Sequence, residues 1–339
     1  MMKTLRTSLL APLCFSLGLS LPAAAQDTPG DTCGGADLID ALPAETLETL
    51  RKEADAMPHA EGLLWQATRG DTVIDIFGTY HFKHRLTEAH LDRLAPMIED
   101  ADKIYLEISN DDQMAMQRAM AENPSLMFIT EGPTLPDLLG EEDWQHYRAE
   151  MQARMIPGFM AAKFKPLWAG MMLGIGPCEA QSGAFEAKGI DMLVGDRAAE
   201  AGNPTRSLED FDDLLTLLDS FPMDDQIEMI RMSLAWPGDM NDLSYTIRER
   251  YLAEEIALTL VFSRYVSEEY GGEAGAEGFA MVEDLLLEKR NLGWIDRLES
   301  QVAPGEHVLI AVGAGHLPGE VGILRLLEDK GYTVTRVDL

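Results

Sequence analysis

The sequence predicts an α/β fold: a central mixed β-sheet flanked by helices, with a large helical insertion between two strands that each run into Gly-x-x-His. Three observations carry this. Apolar, strand-like runs cluster towards both ends of the chain and alternate there with segments of helical spacing. The long stretch between them, from about residue 110 to 300, repeats large apolar residues at three-and-four spacing. Finally, "DIFGTYHF" (Asp75 to Phe82) and "AVGAGHLPGE" (Ala311 to Glu320) carry the same Gly-x-x-His device at the end of an apolar run.

Taken in order, "LPAETLETLRKEADAM" reads as a short helix. "LLWQATRGDTVIDIFGTYH" is two apolar, partly alternating runs around Arg69-Gly70-Asp71, a hairpin signal. "LTEAHLDRLAPMIEDA" has helical spacing with Thr87 placed to cap it, and "KIYLEIS" is a short buried strand closing on Glu107. In the insertion, "SLEDFDDLLTLLDSF" and "LSYTIRERYLAEEIALTLVFSRYVSEEY" read as helices, the second ended by Gly271-Gly272. "HVLIAVGAGHL" is a strand, "GEVGILRLLEDKG" a helix and "YTVTRVDL" a closing strand. Many of the 19 methionines lie between Met114 and Met172. At helical spacing they read as flexible core filler, the other reading being a plastic apolar groove.

The N-terminus "MMKTLRTSLLAPLCFSLGLSLPAAAQ" has a basic start, an apolar run from Leu9 to Leu21 and a small-residue end, the pattern of a cleaved secretory signal over residues 1–25. The apolar run falls short of the roughly 20 residues a membrane span needs, so no stable membrane insertion is expected after cleavage. Residues 26–61 follow as an N-terminal extension and 62–339 as one compact domain. Cys14 leaves with the signal. The remaining Cys33 and Cys178 are expected to be bridged, because in an oxidising compartment two leftover thiols usually pair. A periplasmic or secreted protein is therefore expected. The 339-residue chain carries a formal net charge of −31, which repels nucleic acid and argues against it as a partner. That charge keeps a solvated surface soluble and says nothing by itself about catalysis.

In open α/β sheets ligands gather beyond the carboxyl ends of strands, where loops splay apart. His81, Glu107 and His316 each occupy such an end. Gly78 and Gly313 allow sharp turns or close backbone approach, so that each histidine can swing back over the sheet edge. Two imidazoles and a carboxylate form a divalent-metal set with open positions for water and substrate, and a bound water of lowered pKa points to hydrolysis. A strand-end histidine commonly serves packing alone, but two copies of one device in non-adjacent strands are hard to explain that way. His84 sits between Lys83 and Arg85 in what reads as a solvated turn, and His59, His146 and His307 read as structural or exposed.

"FGTYH", "YLEI", "EKRNLGWIDRLE" and above all "IAVGAGHLPGEVGILRLLEDKGYTV" resemble the TraB/GumN family. The likeness runs from about Gly62 to the C-terminus and marks 62–339 as a TraB/GumN-like catalytic domain. The family's relatives include the Tiki ectodomains, metalloproteases dependent on manganese or cobalt, and its fold is shared with erythromycin-esterase-like and haem-binding ChaN-like proteins. The resemblance implies His81, Glu107 and His316 as metal ligands, Arg290 and Asn291 as a polar pair beside them, and Glu320 as base or supporting partner. It implies a manganese- or cobalt-dependent hydrolase, a peptidase acting on peptide or protein, with zinc left open by the ligand types. The alternative is a non-enzymatic periplasmic binding module for haem, a signal peptide or an envelope polysaccharide, with His81 or His316 as an axial ligand to haem. The oligomeric state is open.

Overall fold

The computed structural model describes residues 33–184 and 187–339; the signal expected over residues 1–25 lies outside them. Six strands form one sheet: β1 (Leu64–Arg69), β2 (Thr72–Thr79), β3 (Lys103–Leu106), β4 (Thr205–Ser207), β5 (His307–Gly313) and β6 (Thr333–Arg336). Their order is β4-β3-β5-β2-β1-β6. β2, β5, β3 and β4 run parallel, while β1 pairs antiparallel with both β2 and β6. The sheet is therefore mixed, as the sequence predicts. The hairpin turns at Gly70, whose φ of 61° favours glycine.

The labelled helices are α1 (Ala44–Asp55), α2 (Thr87–Asp100), α3 (Ile190–Ala201), α4 (Met240–Leu252), α5 (Ile256–Glu283), α6 (Lys289–Gln301) and α7 (Ile323–Asp329). Alternate strand residues face opposite cores. Phe77, Ile104, Leu106 and Leu309 pack with Leu94 and Ile98 of α2 and Val194 of α3. Ile74, Ile76, Ile310 and Val312 pack with Trp294 and Leu298 of α6 and Leu324 of α7. Both faces are covered, which is why the parallel strands read as continuous apolar runs. A separate core in the insertion joins Tyr147, Met151, Phe164 and Ile230.

Cys33 and Cys178 are disulfide-bonded, as expected. Beside them, Arg248 of α4 donates to the Cys33 carbonyl at 2.7 Å and to Glu179 Oε1 at 3.2 Å, in a buried setting. Replacing both cysteines by serine is expected to lower stability by about 2–4 kcal/mol without altering the sheet-edge site, as read by chemical denaturation of the oxidised wild type beside the variant.

Three points depart from the sequence reading. β4 is a three-residue strand missed in the sequence, because Thr-Arg-Ser is held by its pairing with β3 rather than by an apolar run. The long helix expected over 243–270 is two helices. Glu254 adopts φ 64° between them, its carbonyl accepting from Gly62 N at 3.0 Å and its carboxylate from Leu63 N and Arg336; these tertiary partners hold a break that no glycine or proline announces. As expected, the second of these ends at Gly271-Gly272: Gly272, at φ 57° and ψ −142°, leaves helical geometry and divides α5 into two helical stretches, the latter running to Glu283. Thr87 begins α2 but its hydroxyl accepts from His84 N at 2.9 Å rather than capping.

The methionines divide between roles. Met151 is buried core, Met114, Met155, Met160 and Met171 are exposed, and Met229, Met232 and Met240 line a cavity of about 300 Å³ that includes none of the sheet-edge residues.

Candidate functional site

Because β2, β5, β3 and β4 run parallel, their carboxyl ends lie along one sheet edge. His81 follows β2, Glu107 follows β3, His316 follows β5, and Glu209 follows β4. The two motif glycines do different jobs there. A Cβ on Gly78 would stand 2.8 Å from Leu317 Cδ1 and 3.1 Å from Ala314 Cα, so its absence lets the turn after β5 press against the end of β2. A Cβ on Gly313 would stand 3.1 Å from Glu107 Oε1 and 3.6 Å from both His81 Nε2 and His316 Cδ2. Gly313 is thus the floor on which the three side chains converge.

A family model described as TraB/PrgY/gumN matches residues 63–336. The chain belongs to the TraB/PrgY/gumN family. Among curated proteins none matches the chain.

In this TraB/PrgY/gumN chain, Glu107 Oε1 accepts from Gly313 N at 2.6 Å and Oε2 accepts from Arg290 Nη2 at 2.6 Å. Burial by itself raises the Glu107 carboxyl, but His316, Arg290, His81 and the Gly313 amide outweigh it and bring it down to about 2. His316 Nδ1 lies 2.7 Å from Asn291 Oδ1, and Asn291 Nδ2 donates to Val321 O at 2.8 Å. That second bond fixes the carboxamide with its oxygen towards the ring, so Nδ1 carries the proton and Nε2 keeps its lone pair. Burial, aided by Arg290 and His81, holds His316 neutral, its pKa lowered to about 3. The Nε2 atom lies 3.9 Å from Glu107 Oε1 and 3.3 Å from Arg290 Nη1.

His81 is open to solvent, its side chain 63 % exposed, with Nδ1 3.5 Å from Asp191 Oδ2 at the start of α3. The Asp191 carboxylate raises this imidazole above its usual value. Asp191 comes so close because Gly189, just before α3, packs directly on the His81 carbonyl, where a Cβ would clash.

The donors fit a divalent ion in kind and direction. Each histidine turns one nitrogen inward and sets the other against a carbonyl or carboxylate oxygen, the support that orients metal-binding imidazoles. In spacing the cage is not formed: among the described residues no three His, Cys, Asp or Glu groups stand at distances that hold an ion. Arg290 stands among these groups, its guanidinium paired with Glu107 and facing His316 Nε2.

Of the predicted residues, His81, Glu107, His316, Arg290 and Asn291 are brought together. Glu320 is exposed, since the chain turns away at Gly319, where φ is 99° and the amide donates to Pro58 O; among the described residues it is neither hydrogen-bonded to nor ion-paired with this group. Glu209 and Asp191 were missed: neither follows a conspicuous strand, and only β4 and the Gly189 approach place them. His84 is corrected too. It is 1 % exposed rather than solvated, packed against His90, Tyr80 and Tyr251, and among the described residues its Nε2 finds no hydrogen-bond partner.

Proposed function

We propose that this chain is an exported metal-dependent hydrolase acting on peptide bonds, with His81, Glu107 and His316 as the ligands of one divalent ion, manganese or cobalt before zinc. The observation that carries this reading is the convergence of His81 Nε2, Glu107 Oε1 and the His316 ring over Gly313, each histidine backed by an oxygen on its far side. When bound, the ion supplies a water acidic enough to act as nucleophile at neutral pH.

The chain's own residues divide the remaining work. Asn291 holds the His316 tautomer with Nε2 available. Glu107, ionised at neutral pH, offers one oxygen inward and is in place to accept a proton. Arg290 presents N–H donors beside the point where negative charge develops on a scissile carbonyl, the role of an oxyanion donor. His81, the exposed member of the set, stands on the side from which substrate approaches. A haem-binding reading would rest on His81 alone, since the His316 Nε2 is buried and faces Arg290 at 3.3 Å. Export rests on the signal pattern of residues 1–25 together with the disulfide; among the described residues no helix is long and apolar enough to cross a membrane.

The test is titration of purified mature protein with Mn²⁺, followed by electron paramagnetic resonance, and cleavage of a mixed peptide library with and without chelator. One tight ion per chain and chelator-sensitive cleavage restored by Mn²⁺ are expected. Absence of saturable binding of Mn²⁺, Co²⁺ and Zn²⁺ alike would end this reading.

A further inference from the structure

We infer that Glu209 is a positioning residue: it is the second anchor onto which Arg290 withdraws when a cation takes Glu107 and His316. The inference rests on the metal-site reading above. Glu209 lies two residues past β4, next to the end of β3, where Leu208 N donates to the Glu107 carbonyl at 3.2 Å. The two carboxylates are therefore carried by neighbouring strand ends, with one guanidinium between them.

Arg290 spends its donors in a telling way. Its Nε donates to both Glu209 oxygens, at 3.0 and 3.1 Å, while Nη2 is shared between Glu209 Oε1 at 2.5 Å and Glu107 Oε2 at 2.6 Å. Nη1 donates to Leu286 O at 3.1 Å and faces His316 Nε2 at 3.3 Å. Two of the groups a divalent ion needs, Glu107 and the His316 lone pair, are thus engaged by a resident cation, and two cations cannot share them at contact distance. Arg290 must give them up. The Trp294 ring, its centroid 4.8 Å from the guanidinium carbon, and the Leu286 carbonyl limit where it can go. Glu209 already holds the Nε edge, so a small rotation that releases Glu107 leaves a complete Arg290–Glu209 pair, a planar two-bond match of the kind arginine favours.

The charge balance follows. With Glu209 ionised, Arg290 is neutralised away from the ion and Glu107 is free to bind it. With a neutral residue at 209, Arg290 stays on Glu107 and opposes the ion.

Four proteins test this by Mn²⁺ titration: wild type, Glu209→Gln, Arg290→Met and the double variant. Glu209→Gln is expected to weaken Mn²⁺ about 10–100-fold, the range seen when partners of metal ligands are lost. Arg290→Met is expected to bind Mn²⁺ more tightly than wild type while losing catalysis. The double variant is expected to bind like Arg290→Met, because Glu209 acts only through Arg290. If Glu209→Gln weakens binding equally in the Arg290→Met background, Glu209 acts as a ligand or a bulk charge and the inference falls. Unchanged Mn²⁺ affinity in Glu209→Gln, with wild type binding normally, also overturns it. Wild type that binds no ion removes the metal reading itself. Should Arg290→Met fail to fold, the Arg290→Gln variant takes its place in the same cycle.

Discussion

Replacing Gly313 with alanine is expected to weaken Mn²⁺ binding on the order of 100-fold and to abolish hydrolysis, with the fold retained. The backbone permits the change, since Gly313 has φ −50° and ψ 134°, a conformation open to any residue. What the methyl group would take is the space between donors, 3.1 Å from Glu107 Oε1 and 3.6 Å from His81 Nε2. Alanine at 78 is the contrasting case, because its Cβ would strike Leu317 and the Ala314 backbone, and it should cost stability first. The measurement pairs Mn²⁺ titration with thermal melting for each variant. Wild-type metal affinity in Gly313→Ala would show that the three side chains do not share one ion above this floor.

Acidification is expected to destabilise the fold through buried histidines. Burial lowers the His84 pKa to about 3, helped by His90, Arg85 and Arg248, and burial likewise lowers His90 against an opposing pull from Glu254. His84 is neutral in the folded state at pH 5 and His90 resists protonation in the same direction, whereas in the unfolded chain each takes up a proton below about 6.5. The unfolded state therefore binds more protons, and stability present above pH ~6.5 is lost as the pH falls. For His84 alone the loss by pH 5 is about 2 kcal/mol, with a further loss of the same sign from His90. Denaturant unfolding at pH 7.5 and 5.0 should show a smaller pH dependence in His84→Leu than in wild type. Equal dependence in the two would mean that the His84 ring reaches water in the folded state.

Legibility in the sequence followed the source of each constraint. The hairpin, the strand ends and the convergence of His81, Glu107 and His316 were readable because apolar runs set the strands and a repeated glycine marked the turns. Arg290 and Asn291 were reached through family likeness, not through spacing, since a helix face gives no hint of what lies opposite. Glu209 was invisible for a physical reason: β4 is polar and three residues long, and it exists only because β3 offers it a free edge. The same holds for the break at Glu254, whose left-handed backbone is held by Gly62, Leu63 and Arg336, partners far away in sequence. His84 looked solvated from its charged neighbours, although Lys83 and Arg85 turn outward to Glu88 and Glu249 while the ring between them turns in.

The place of β5 between β2 and β3 has a consequence for timing. β2 and β3 do not touch each other; the strand that joins them is contributed from beyond the entire helical insertion. Until it slots in, His81 and Glu107 sit on unconnected pieces, Gly313 and His316 are elsewhere, and nothing resembling a centre exists. Closing such distant segments is slow in folding, and the three side chains come together only once β5 is in place. A partly folded chain accordingly lacks the sheet-edge site altogether.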